Sequence, residues 1–132
     1  MFGKNSKKLE TILGEGSEFK GEMIVKETIR IDGFLEGDVR ADWVIVGESG
    51  RIAGNIHSRG TVVGGTVEGN IDAEEIVELK HKSRVFGEIQ ATKLAIAEGA
   101  IFEGQARMRK GNEEEGARDG NVMRINPSAV TS

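Results

Sequence analysis

The stretch Val67-Glu68-Gly69-Asn70-Ile71 alternates apolar and polar or small residues around a central glycine. A period of two is typical of a short β-strand with one face turned toward a core. The same pattern, an apolar residue two positions before a glycine and another two positions after it, occurs six times along the chain. The six glycines, which we call the glycine column, are Gly21, Gly37, Gly54, Gly69, Gly87 and Gly104.

Successive glycines of the column are separated by 16, 17, 15, 18 and 17 residues. Strand-like alternation that recurs at about this interval is typical of a solenoid, in which each coil buries its apolar face against its neighbours. A second short apolar segment precedes most of the motifs, as at Val44/Val46 and Val77/Leu79, and turn residues such as Gly64-Gly65 separate the strands. We therefore predict an all-β, single-domain parallel β-helix, or β-solenoid, of about six coils of ~17 residues.

The glycines are predicted to occupy a crowded corner of each coil. A side chain there would compete with the flanking apolar residues, or the backbone needs a φ value that only glycine adopts at low cost. The residue after each glycine is polar, and we expect the amides of Asn55 and Asn70 to form a ladder along the rod.

The extent of the repeat sets the predicted domain boundaries: a rod over residues 17–106, and disordered tails over residues 1–16 and 107–132. The rod holds ten Lys or Arg residues against sixteen Asp or Glu residues, a net charge of −6. A negative rod with few aromatic residues is a poor nucleic-acid binder, so no nucleic-acid partner is expected. The chain has no cysteine, which excludes a disulfide framework and fits a reducing cytoplasm, and no apolar run is long enough for a transmembrane helix.

The two ends of the rod carry the main functional inference. A solenoid exposes unpaired backbone groups and core side chains at its ends unless a polar repeat covers them. The last coil, residues 94–106, holds only two charged residues, and we see no capping repeat. We expect neighbouring molecules to stack end to end into filaments; the alternative is that aromatic residues close the ends of a monomer. The expected polymerisation interface is formed by Phe102, Phe19, Leu94, Ile96 and Ile101.

The sixfold register of these motifs and the opening residues Met1-Phe2-Gly3-Lys4 resemble the bactofilins, a family of bacterial polymer-forming cytoskeletal proteins. The resemblance covers residues 17–106. It implies a right-handed, triangular β-helix that polymerises without nucleotide, through contacts between like ends, into non-polar filaments. Phe102 matches the phenylalanine of the C-terminal coil on which polymerisation depends in that family.

The same resemblance implies that the N-terminal tail contacts the inner membrane and that the filament organises cell-shape or cell-wall factors. Its implied partners are other copies of the chain, the membrane, and cell-wall hydrolases or other morphogenesis proteins, at a cytoplasmic, cytoskeletal location. Phe2 suits a membrane interface, and basic residues attract anionic headgroups at about 1 kcal/mol each. The expected membrane-targeting residues are Met1, Phe2, Lys4, Lys7 and Lys8.

Two other functions are considered. A non-polymerising β-solenoid could serve as a binding module that displays ligand sites along its sides. Hexapeptide-type acyltransferases and γ-type carbonic anhydrases are also β-helices, but their coils are more regular, and the γ-type zinc site needs three histidines where this chain has only His57 and His81. Neither histidine lies beside a recognisable nucleophile or oxyanion donor, so we predict no enzymatic activity, no metal and no cofactor.

Overall fold

The computed structural model describes residues 9–109 and 122–125, and within them it contains fifteen strands and no helix. The strands are β1 Leu9–Leu13, β2 Glu18–Lys20, β3 Met23–Ile24, β4 Thr28–Ile31, β5 Phe34–Glu36, β6 Val39–Arg40, β7 Trp43–Val46, β8 Arg51–Ala53, β9 Ile56–Val63, β10 Thr66–Glu68, β11 Ile71–Leu79, β12 Arg84–Ala91, β13 Lys93–Ile96, β14 Ile101–Met108 and β15 Val122–Ile125.

The strands stack in parallel register into three faces of a rod. Face A consists of β2, β5, β8, β10 and the first parts of β12 and β14. Face B consists of β3, β6, the first parts of β9 and β11, and the second parts of β12 and β14. Face C consists of β1, β4, β7, the second parts of β9 and β11, and β13. Each face has six rungs, which confirms the predicted parallel β-solenoid of about six coils.

The core is a set of inward columns, because alternate residues of a strand point to opposite sides. On face A the middle residue of each inner rung is fully buried, as at Leu35, Ile52, Val67 and Val85. Most of the core residues are β-branched, and such side chains pack well on a pleated surface.

The coils differ in length because two of the three corners vary in length. We name each corner by the two faces that it joins. Face A always begins three residues before the column glycine, so the A–B corner is constant. The B–C corner gains one residue where the register shifts between Ala73 and Ile76. The C–A corner contains two residues, as at 64–65, or four, as at 47–50 and 80–83. A hydrogen bond closes each longer turn, for example from Gly50 N–H to the Gly47 carbonyl at 2.8 Å.

The column glycines have φ values between +130° and +156°, which L-residues rarely adopt. This confirms one of the two reasons predicted for the column. The other reason needs a correction, because the obstacle to a side chain is backbone and not the flanking apolar residues. A Cβ built on Gly54 would overlap the carbonyl oxygen of Gly37 in the preceding coil.

A ladder of side-chain acceptors runs beside the glycine column. Asp38 Oδ1 accepts the N–H of Asn55, Asn55 Oδ1 accepts that of Asn70, and Asn70 Oδ1 accepts that of Glu88, each at 3.1 Å. Each glycine carbonyl faces the Cα of the column glycine in the next coil. It is therefore not available to the N–H of the residue after that glycine, which needs another acceptor. The predicted ladder therefore exists, but it joins side chains to backbone instead of amide to amide.

The boundaries of the rod differ from the prediction at both ends. Leu9–Leu13 forms β1 and pairs with β4, although residues 1–16 were predicted to be disordered. The predicted C-terminal tail begins at residue 107, but β14 continues to Met108. Val122–Ile125, which also belongs to that predicted tail, pairs with β14. The physical reason is that a strand edge can order a short segment that carries no repeat of its own. The remaining residues of the predicted tails lie outside the described part of the chain.

We predict that Gly54→Ala lowers the free energy of unfolding by about 2–4 kcal/mol, because it combines an unfavourable φ with a backbone overlap. Urea unfolding followed by the fluorescence of Trp43, the single tryptophan, measures the loss. Gly14→Ala is the matched control, since a Cβ at Gly14 meets nothing within 4 Å. An equally small effect of both substitutions would contradict this account of the column.

Candidate functional site

The N-terminal end of the rod is formed by β1, β2 and β3, which among the described strands pair on one side only. Their inward residues are incompletely covered. Phe19 and Met23 are half-buried, whereas their register partners in the next coil, Leu35 and Val39, are fully buried. Two outward residues, Ile12 and Ile24, are 57% and 69% exposed. The first coil is thus an apolar edge with unpaired strand backbone.

The C-terminal end repeats this arrangement on face C. Within the described residues β13 pairs only with β11. Its inward residues Leu94 and Ile96 are half-buried, while their partners Val77 and Leu79 in the preceding coil are 0% exposed. Met108, at the end of β14, is also partly buried against the core. We call Leu94, Ile96 and Met108 the C-terminal apolar set.

Phe102 and Ile101 lie in the same last coil, on face A. Phe102 is 0% exposed and belongs to the core, next to its register partner Val85. Ile101 is half-buried and pairs with the exposed Arg84, so it lies on the outward phase of the strand. Of the five residues expected at the interface, four therefore gather at the C-terminal end, and Phe19 lies at the opposite end of face A. Phe102 is thus already covered within a single chain.

A further strand lies against part of this end. β15 pairs antiparallel with the second half of β14, with Gly104 opposite Ile125 and Arg107 opposite Val122. The pairing covers the face B edge only. The face A edge at Ile101–Glu103 and the β13 edge have no described partner on the outer side.

The flanks of the rod carry ion pairs between residues of different coils. Arg59 binds Asp42 at 2.9 Å, Arg51 binds Glu68 at 3.1 Å, and the side chain of Arg109 binds Asp72 two coils away. These pairs are partly exposed, and such pairs stabilise a protein by roughly 0–1 kcal/mol each. Their main effect is to neutralise charge locally and to favour the observed register.

Arg30 illustrates the electrostatics within one coil. Its Nε donates a hydrogen bond to Asp32 at 2.9 Å. This hydrogen bond, together with the charge of the carboxylate, raises the pKa of Arg30 above its ordinary value. Arg30 therefore remains a cation on face C.

A groove of about 430 Å³ on the flank lies at the B–C corner and is lined by charged residues that include Arg59, Asp72 and Arg109. Arg59 and Arg109 are already bound to carboxylates of the rod, so the groove offers little net charge to a ligand. His57 lies there, 3.8 Å from Asp72, and His81 is exposed at a turn. Among the described residues, no three His, Cys, Asp or Glu side chains are grouped to hold a metal ion.

The expected membrane-targeting residues Met1, Phe2, Lys4, Lys7 and Lys8 lie outside the described part of the chain. Within the part that is described, no helix is long and apolar enough to span a membrane.

Sequence reasoning missed three features of the ends: β1, β15 and Met108. For β1 a signal exists, since Thr11 and Leu13 continue the period of two and a glycine-containing turn follows at residues 14–16. Met108 continues the inward phase of Ala106 by two residues. The four residues of β15 resemble no other coil, and their pairing follows from the open edge beside them.

The fold and its ends define a class: an open-ended, three-sided parallel β-solenoid whose terminal coils expose apolar residues. The sequence profile of one family, described as "Bactofilin: Polymer-forming cytoskeletal", matches residues 11–107. The chain belongs to the bactofilin family. The matched segment spans all six rungs of the rod.

Two curated relatives come from Myxococcus xanthus (strain DK1622). The chain is 34% identical to bactofilin BacP over 125 residues, which cover 92% of this chain and 50% of the relative, so it spans about half the length of that protein. It is also 34% identical to bactofilin BacO over 99 residues, which cover 74% of this chain and 79% of the relative. No solved structure gives a significant match.

We predict that two charge substitutions at the C-terminal end destabilise the protein to very different extents. Phe102→Arg places an unpaired charge in the core and should lower the free energy of unfolding by about 3–5 kcal/mol. Ile96→Arg should cost only about 1 kcal/mol, because a half-buried arginine can extend its charge into water. Urea unfolding at low protein concentration measures the free energy of unfolding of each variant. Equal losses would mean that Ile96 is as enclosed as Phe102.

Proposed function

We propose that this chain is a cytoskeletal scaffold that polymerises end to end, without nucleotide, by stacking the terminal coils of neighbouring molecules. The observation that carries the proposal is the contrast along the inward columns. Inward positions that are fully buried in the inner coils are half-buried in the first coil and on face C of the last coil, as in the pairs Phe19 and Leu35, or Ile96 and Leu79.

A second copy of the chain suits these ends because it offers the same strand spacing and the same apolar columns. A coil placed against β13 would cover Leu94 and Ile96 as β13 itself covers Val77 and Leu79. It would also supply hydrogen-bond partners to a strand edge that has none among the described residues. The description of the family as polymer-forming supports this partner.

Within this proposal the direct contact at the C-terminal end is made by the C-terminal apolar set. Phe102 is fully buried in the same coil, so it belongs to the core and not to the exposed contact. A substitution at Phe102 therefore tests folding and assembly together, whereas Leu94 and Ile96 allow assembly to be tested alone.

The proposal extends to location. The segment that contains Phe2, Lys4, Lys7 and Lys8 precedes the rod, and in a filament many copies of it would face one membrane. About 1 kcal/mol per basic residue is marginal for one molecule. Multivalency can raise the apparent affinity by roughly 10²–10⁴ without new contacts. The proposed filament thus lies at the inner face of the membrane, where it organises cell-wall or cell-shape proteins.

We predict that Ile96→Arg remains folded but forms no filaments, because a cation at the inward position blocks the contact between coils. Ala95→Arg is the matched control, since it adds the same charge to the same strand at an exposed position. Filament formation is measured by negative-stain electron microscopy of the purified proteins without nucleotide. Circular dichroism verifies that each variant is folded.

Filaments from wild type and Ala95→Arg but not from Ile96→Arg would support stacking through the C-terminal coil. Filaments from all three would rule out this contact. Compact monomers of the wild type at high concentration would rule out polymerisation and favour a binding module that uses the sides of the rod.

We predict that replacing Lys4, Lys7 and Lys8 together by Gln reduces pelleting with anionic liposomes but leaves filament formation intact. The loss should be greater for filaments than for the non-polymerising Ile96→Arg protein, because only filaments gain from multivalency. Neutral liposomes serve as the control. Equal pelleting of wild type and triple variant on anionic liposomes would remove these lysines from the proposal.

A further inference from the structure

β15 is the one strand among those described that runs antiparallel to its neighbour. Val122–Ile125 lies against Gly104–Arg107, while every other pairing between described strands is parallel. β15 is therefore not a seventh coil. It is a segment from beyond the rod that returns to the C-terminal end and pairs with the exposed edge of β14.

The position of β15 matters because β14 is the last rung of faces A and B. A molecule that continues face B at this end must place its own strand against residues 104–107, and β15 already occupies that edge. No strand in the described part of the chain pairs with the outer edges at Ile101–Glu103 and at β13. β15 and an incoming copy thus cannot both bind the last coil in full.

We propose that Val122–Ile125 is a displaceable cap that competes with a second copy of the chain for the edge of the C-terminal coil. This inference rests on the proposed end-to-end assembly and adds a mechanism that controls it. The cap meets the edge at an effective concentration that does not depend on the protein concentration, whereas a second copy must arrive from solution. The competition therefore sets the concentration at which filaments first form.

The lengths of the two contacts explain why the cap is displaceable. β15 pairs over four residues on one face, and short isolated edge pairings are marginal in water. A second copy can contact all three faces of the coil and also cover Leu94 and Ile96, which lie on face C and outside the β15 pairing. At high protein concentration the larger contact displaces the smaller one.

A first test weakens the cap in the full-length chain. Arg124→Pro removes a backbone N–H and disfavours the strand, and Arg124→Thr is the matched control that removes the same charge but keeps strand propensity. We expect Arg124→Pro to lower the critical concentration for filament formation by about 5- to 10-fold, on the order of one lost hydrogen bond. The threonine variant should polymerise at the wild-type concentration. Pelleting across a dilution series measures both.

A second test locks the cap. The chain contains no cysteine, so a double substitution Gln105→Cys and Arg124→Cys introduces the only thiols, at positions directly opposite in the register. Opposed positions of an antiparallel pair have Cβ atoms about 4.5–5.5 Å apart, near the range that a disulfide spans. The oxidised protein should form no filaments, and a reductant should restore them. Each single cysteine variant, treated identically, controls for oxidation and for links between molecules.

The outcomes separate this inference from the proposed assembly. Lost filaments in the oxidised double variant, restored on reduction, together with the lower critical concentration of Arg124→Pro, support the cap. Normal polymerisation of the oxidised variant, an unchanged Arg124→Pro, or failure of the two cysteines to form an intramolecular disulfide would overturn the cap and leave end-to-end assembly intact. Absence of filaments from the wild type and every reduced variant would overturn both proposals.

Discussion

The rod depends on the close approach of backbones at its A–B corner. There the carbonyl oxygen of one column glycine faces the Cα of the next, so a side chain is excluded at every coil after the first. The positive φ that permits this approach also removes the glycine carbonyl from the usual ladder, and the side chains of Asp38, Asn55 and Asn70 supply acceptors in its place. The glycine thus permits the close approach of the coils, and the polar residue after it replaces the hydrogen-bond acceptor that this approach removes. Together they stabilise the parallel register of faces A and B.

The ends of the molecule follow from the same regularity. Each inner coil covers the apolar column of its neighbour, so the first and last coils cannot cover their own. This accounts for the half-buried Phe19 and Met23 in the first coil and for Leu94 and Ile96 on face C of the last. An edge of this kind accepts any strand of suitable length and spacing. One part of it is already paired with a segment of the same chain, which indicates that the edge can accept a strand.

The fold could be predicted from the sequence because a period of two nested in a period of about 17 residues is compatible with few folds other than a β-solenoid. The coil count, the parallel stacking and the buried columns follow from the spacing of residues such as Ile52, Val67 and Val85. The depth of burial at the ends could not be read in the same way. Phe102 was expected at a surface because it lies in the last coil, but it is fully buried, whereas Leu94 and Ile96 on face C of the same coil are half-buried. The pairing of β15 could not be predicted from the sequence, because a four-residue segment has no repeat pattern of its own and its pairing depends on the open edge beside it.

The unequal corners have a consequence for how such a rod changes over time. The C–A corner contains either two or four residues, while the A–B corner has a constant length. Insertions and deletions at the C–A corner therefore leave the stacking of every coil unchanged. The corner around residues 47–50 or 80–83 is therefore a place where a lineage, or a protein engineer, can introduce a loop with a new specificity. A whole coil, cut at equivalent register positions, could likewise be duplicated to lengthen the rod by about 4.8 Å, the spacing between neighbouring strands.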